Sequence, residues 1–166
     1  MKQNDLPPEL LAVAFVESEF VPDAVSPKGA TGLWQFMPVT ATHYGLMLNP
    51  LHDDRTNLEK STSAAARYLT DLHARFGDWL LALAAYNAGE DQVVSAIARG
   101  RTRDFWALSR IRLLPEETRE YVPKVLAALH LWKEIVAGSA DVEAPAIKEA
   151  ASSRHETWVC AVTSRN

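Results

Sequence analysis

The sequence predicts an all-α protein, and three observations carry that prediction. Apolar residues recur at steps of three and four, the period of a helix, rather than at the two-residue alternation of a strand. Residues that open and close helices follow one another in order along the middle of the chain, with Asn57 and Asp78 as openers and Gly77, Gly89 and Gly100 as closers. Strand signals are too few to build a sheet.

Each helix has its own reason. The first is expected to start near Pro7-Pro8-Glu9, because proline suits the first turn and glutamate suits the positive end of the helix dipole. It should run to about Phe20 and stop before Pro22. Residues 21–38 form a long loop marked by Gly29 and Gly32, followed by a short helix over Val39–Tyr44 that Gly45 closes. Asn57 opens a longer helix ending at Gly77, whose Leu58, Ala65, Leu69, Leu72 and Phe76 make one apolar stripe. Asp78 caps a helix over Trp79–Ala88 that Gly89 terminates, and Asp91–Arg99 makes another, closed by Gly100. The last strong helix is expected over Glu116–Val136, kinked early by Pro123. Beyond Gly138 alanine, serine and acidic residues dominate without an apolar face, so the expected division is a domain over 1–137 and a linker or partly disordered tail over 138–166. Within that tail, the run from Glu156 has the character of a lone strand.

Composition narrows the function. The 166 residues suffice for one domain with a sizeable core. A net charge of −4 leaves no basic footprint for nucleic acid or an anionic membrane surface. Cys160 is the single cysteine, which rules out an intramolecular disulfide, and the five histidines show no ligand spacing such as HExxH, so neither a metal nor another cofactor is expected. No apolar run reaches the ~20 residues of a membrane span. Leu6–Val16 is apolar enough for the core of an export signal, but it holds Pro7, Pro8 and Glu9, with Glu17 and Glu19 where small residues belong, so no signal peptide is expected in this chain.

Glu17 stands out from its surroundings. On a helical wheel Leu6, Leu10, Val13 and Phe20 share one sector, and Glu17 falls in the middle of it, while Glu19 projects to the opposite side. A carboxylate on the buried stripe at a helix C-terminus is disfavoured in its charged form by burial and by the dipole, which makes it a candidate general acid. A salt-bridged or solvent-reaching glutamate is the competing reading of the helix alone.

Three stretches bear on that choice. Residues 17–38 read ESEFVPDAVSPKGATGLWQFMP, residues 85–89 read Ala-Tyr-Asn-Ala-Gly, and residues 117–124 read ETREYVPK. In this order they resemble the signature of the lytic transglycosylases, the soluble-lytic-transglycosylase-like enzymes whose domain is akin to goose-type lysozyme. Trp34, where methionine is commoner, is most similar to the membrane-bound type D branch.

The resemblance implies a single lysozyme-like helical domain with an extended groove for peptidoglycan glycan strands, in the bacterial cell envelope and as a monomer. It makes Glu17 the catalytic acid and base, and Ser26, Gln35, Met37, Tyr86, Asn87 and Tyr121 the substrate-binding residues. The residue types suit these roles: Gln35 offers donors and an acceptor to N-acetylated sugars, and Gly29 and Gly32 let backbone approach a ligand. Trp34, Phe36 and Met37 should divide between core and groove wall.

Most glycosidases use two carboxylates; the resemblance implies one. Glu17 would protonate the oxygen between N-acetylmuramic acid and N-acetylglucosamine, then take a proton from the muramyl C6 hydroxyl, leaving a 1,6-anhydro end. A lysozyme-type hydrolase is the alternative and would need a second acid to hold water, for which Asp23, Asp53, Asp54 and Glu90 are candidates by type alone. A non-catalytic peptidoglycan-binding module is the other.

Overall fold

The computed structural model describes residues 10–139, with side chains to 135. Seven α-helices lie among the described residues, together with one short two-stranded ribbon, so the all-α expectation holds. The Cα trace groups into two compact units, Met1–Asp71 and Leu72–Asn166. The start of the first helix, Cys160, the segment from Glu156 and the expected tail beyond Ser139 lie outside the described residues.

The first unit begins with α1 (Leu11–Ser18), which buries Ala12, Val13 and Ala14. It ends two residues before the expected Phe20. Glu19 turns left-handed at φ 52° and its N–H donates to the Phe15 carbonyl at 2.8 Å; Phe20 follows at φ 64°. Phe20 therefore leaves the apolar stripe and lies 40% exposed, tilted against Phe15 with ring centroids 5.6 Å apart. The loop that follows is folded back on itself, with antiparallel bridges from Val25 to Thr31 and from Thr31 to Phe36. It leads into α2 (Pro38–His43), after which Gly45 takes the left-handed conformation expected of it. A ribbon the sequence did not disclose pairs β1 (Leu48–Asn49) with β2 (His52–Asp53) antiparallel, and a 3₁₀ turn over Asp54–Thr56 leads to α3 (Leu58–Phe76). Asn57 opens α3 as expected, its Oδ1 accepting from the Lys60 N–H at 3.0 Å.

In the second unit, α4 (Trp79–Ala88) has the expected bounds because both its ends are locally encoded: Asp78 Oδ1 accepts from the Leu81 N–H at 3.0 Å, and Gly89 sits at φ 86°. Leu81–Ala85 are all buried, and α4 packs against both α5 (Glu90–Gly100) and α7 (Glu116–Ser139). Gly100 is the last residue of α5 rather than its cap, and Arg101 takes the left-handed position at φ 51°. The glycine serves packing: a Cβ there would meet Leu108 Cδ2 at 2.6 Å. Leu108 belongs to α6 (Phe105–Arg110), a helix absent from the sequence expectation and capped by Asp104, which accepts from the Ala107 N–H at 3.1 Å. Pro123 lies inside α7.

Candidate active site

The first unit carries Glu17, Ser26, Gln35 and Met37. Glu17 is half-buried on the last turn of α1. Its neighbour Ser18 is buried, and the Ser18 Oγ lies 2.9 Å from the Leu33 carbonyl and 3.1 Å from that of Ala14. The bond to Leu33 spans fifteen residues, and it fastens the end of α1 to the glycine loop. Ser18 was not among the expected site residues.

The loop is held by its own backbone and by two side chains. The Ser26 N–H donates to the Ala30 carbonyl and the Gly29 N–H to the Ser26 carbonyl, each at 2.9 Å. Ser26 Oγ accepts from the Ala30 N–H at 3.0 Å, which leaves its hydroxyl proton able to donate to a ligand. Gln35 sits at φ 47°, and its Nε2 donates to the Gly32 carbonyl at 2.8 Å and to the Ala24 carbonyl at 3.1 Å. Both amide hydrogens thus brace the loop, and Oε1 is the part of Gln35 suited to a ligand. Trp34 and Phe36 are buried, the Trp34 Nε1 donating to Thr62 Oγ1 at 2.9 Å, whereas Met37 is 44% exposed. Trp34 and Phe36 therefore belong to the core and Met37 to the surface.

Behind the loop stands Arg55, nearly buried. Its Nε and Nη2 bind the Asp53 carboxylate, with Nη2 to Oδ2 at 2.6 Å, and Nη1 donates to the Gly29 carbonyl at 3.0 Å and the Phe36 carbonyl at 3.1 Å. That hydrogen bonding from Arg55 holds the Asp53 carboxyl below its ordinary range, against the opposing effect of burial. Buried Asp54 is lowered further, to about 2, chiefly by the hydrogen bond from Lys60 Nζ at 2.7 Å, then by the Met47 N–H at 2.9 Å and by His52. Glu90, in the second unit, pairs with Arg75. Three of the four carboxylates considered for a water-holding role are therefore bound to other groups, and Asp23 is exposed.

Tyr86, Asn87 and Tyr121 belong to the second unit. Tyr86 and Asn87 are half-buried on the last turn of α4. Asn87 does not cap that turn; its Oδ1 accepts from Thr118 Oγ1 at 2.8 Å. This leaves the Asn87 amide hydrogens to donate. Tyr121 lies 5% exposed on α7, three residues after the buried Thr118. No group of three or more His, Cys, Asp or Glu with metal-binding geometry occurs among the described residues.

Residues 1–109, which span the first two motifs, match the family described as "Transglycosylase SLT domain". The chain belongs to this transglycosylase family. It is 44% identical over 138 residues to membrane-bound lytic murein transglycosylase D of Escherichia coli, covering 80% of the chain and 30% of that relative. Among solved structures it superposes on the 70 kDa soluble lytic transglycosylase of E. coli with a TM-score of 0.69 at 30% identity, covering 80% of the chain and 22% of that one. An inactive glutamate-to-glutamine mutant of the lytic transglycosylase Slt from Pseudomonas aeruginosa gives a TM-score of 0.66 at 30% identity, over 81% and 22%. The chain spans less than a third of the length of each relative. The lysozyme-like helical fold expected of the transglycosylase family is thus the fold of this chain.

Proposed function

We propose that this chain is a peptidoglycan lytic transglycosylase domain in which Glu17 acts first as acid and then as base. Glu17 gives its proton to the glycosidic oxygen leaving the anomeric carbon of N-acetylmuramic acid. The muramyl 2-acetamido oxygen closes on that carbon in place of an enzyme nucleophile. The Glu17 carboxylate then takes the C6 hydroxyl proton, and the C6 oxygen displaces the acetamido oxygen to form a 1,6-anhydro ring. No water is consumed, and Glu17 ends protonated as it began.

The observation that carries this reading is Glu17 at the end of α1, its neighbour Ser18 hydrogen-bonded at 2.9 Å to the loop that presents Ser26, Gln35 and Met37. The engagement of Asp53, Asp54 and Glu90 by Arg55, Lys60 and Arg75 favours one carboxylate over a hydrolytic pair. In the first unit, Ser26 Oγ and Gln35 Oε1 are a donor and an acceptor suited to an acetamido group; in the second, the Asn87 amide is a donor, and Tyr86 and Tyr121 are the further binding residues that the family resemblance implies. The domain is proposed to be residues 1–137, acting as a monomer on glycan strands in the cell envelope.

The test is incubation of the purified protein with peptidoglycan and mass analysis of the released muropeptides. Products should carry anhydro ends, lighter by one water than reducing ends. Exclusively reducing ends would make the enzyme a hydrolase. Glu17→Gln should abolish turnover while the circular dichroism spectrum and glycan binding persist, and undiminished turnover would refute the assignment.

A further inference from the structure

We propose that Arg55 is a positioning residue for the reaction: its guanidinium fixes the spacing between the Ser26 turn and Gln35 by gripping the carbonyls of Gly29 and Phe36. The inference rests on the transglycosylase reading above, and it concerns a residue outside all three sequence motifs.

Three features of the geometry converge on Arg55. Its Nη1 bridges two carbonyls that terminate opposite arms of the folded loop, Gly29 at 3.0 Å and Phe36 at 3.1 Å. Gly29 closes the turn begun by Ser26, and Phe36 follows Gln35 directly. The guanidinium itself cannot drift, because Asp53 receives Nε at 2.9 Å and Nη2 at 2.6 Å, and Asp53 Oδ1 also accepts the Arg55 backbone N–H at 3.0 Å. Finally, the Arg55 backbone carbonyl stands so close to Gly32 that an added Cβ would lie 2.0 Å from it. One residue therefore touches the loop at Gly29, Gly32 and Phe36, from both its ends.

A planar fork with donors in fixed directions is required for this arrangement. Lysine could neutralise Asp53, but its single ammonium cannot hold the carboxylate and both carbonyls at their present separation. A displacement of a substrate-orienting group by about 1 Å can lower turnover ~10²-fold. Loss of the grip should thus appear in kcat, with substrate affinity carried by the remaining contacts.

The experiment compares the wild-type chain with Arg55→Lys and Arg55→Gln on soluble peptidoglycan strands, measuring kcat and KM separately. It adds Ser26→Ala and the Arg55→Lys/Ser26→Ala double variant, with amide hydrogen exchange of each. Arg55→Lys is expected to lower kcat ~10–100-fold with KM within about threefold. Exchange should accelerate at residues 26–36 and not in α4, and the double variant should be little worse than the worse single one. Unchanged kcat in Arg55→Lys, or full additivity with Ser26→Ala, would overturn the proposal. If the wild-type chain released no anhydro product, the transglycosylase reading would fail by itself. The grip on the loop would still be judged by exchange at residues 26–36, and an unchanged pattern in both Arg55 variants would refute it.

Discussion

Thr118 donates a hydrogen bond to Asn87 Oδ1 at 2.8 Å, joining a residue of the second sequence motif to one of the third across 31 positions. Thr118 is 1% exposed, and α4 and α7 pack against each other along this line. The bond fixes which way the Asn87 amide faces, since its oxygen is committed and its hydrogens are not. Replacing Thr118 by valine keeps the shape and removes the donor, leaving an amide oxygen without its partner. Stability should fall by about 1–2 kcal/mol, read from urea unfolding. Turnover should fall further than KM rises, because Asn87 would keep its place but lose its orientation. An unchanged urea midpoint would show that the bond contributes nothing net.

Two glycines in the same loop should respond very differently to alanine. Gly29 and Gly32 have nearly equal backbone angles, φ 84° and 86°, but a Cβ on Gly29 meets nothing within 4 Å, whereas one on Gly32 lies 2.0 Å from the Arg55 carbonyl. Gly29→Ala therefore bears only the left-handed penalty of roughly 1–2 kcal/mol. Gly32→Ala adds a backbone collision that Arg55, tied to Asp53, cannot relieve, for a loss of about 3 kcal/mol or more. Thermal unfolding of the two variants, followed by circular dichroism, would be enough to compare them. Equal losses would show that the loop can move away from Arg55.

That contrast was not readable from the sequence, and the reason is distance along the chain. Asp78 and Gly89 set the bounds of α4 through atoms within three or four residues, so the residue types alone locate the helix ends. The same holds for Asn57 at the start of α3. Arg55 acts 26 residues from Gly29 and 19 from Phe36, and no local pattern encodes either contact. The six residues of α6 are too few for periodicity to register, although Asp104 ahead of Phe105 and Leu108 was a usable cap signal. Phe20 misled because the wheel assumes a continuing helix, and two successive non-glycine residues at positive φ interrupt it. Glu17, Ser26 and Tyr86 are proposed from the motifs; where Gln35 spends its two amide hydrogens required coordinates.

Acid should weaken the first unit in a defined window. Asp54 titrates at about 2 against an ordinary 3.8, held down first by Lys60, and Asp53 is lowered by Arg55. For a depressed carboxylate the stabilisation is complete above the unfolded value near 3.8 and disappears as pH falls through the folded value. The wild-type chain should therefore lose stability steeply between about pH 4 and pH 2. Asp54→Asn should be less stable than wild type at neutral pH, and the gap should close near the bottom of that window. A gap that persists undiminished at low pH would mean that the amide disturbs packing rather than charge.

The remaining prediction concerns the residue beside Glu17. Ser18 Oγ reaches the Leu33 carbonyl at 2.9 Å and the Ala14 carbonyl at 3.1 Å, and its one proton can serve only one of them fully. The Ala14 carbonyl lies within α1, so the bond to Leu33 is the one that ties helix to loop. Ser18→Ala removes it while alanine, the best helix former, preserves α1. The cost to stability should stay near 1 kcal/mol. If the tether sets where Glu17 stands relative to the loop carrying Ser26, kcat should fall about tenfold or more with KM little changed. Ser18→Thr, which restores a hydroxyl, should recover part of the rate. A variant with lowered stability and full kcat would confine Ser18 to holding the fold.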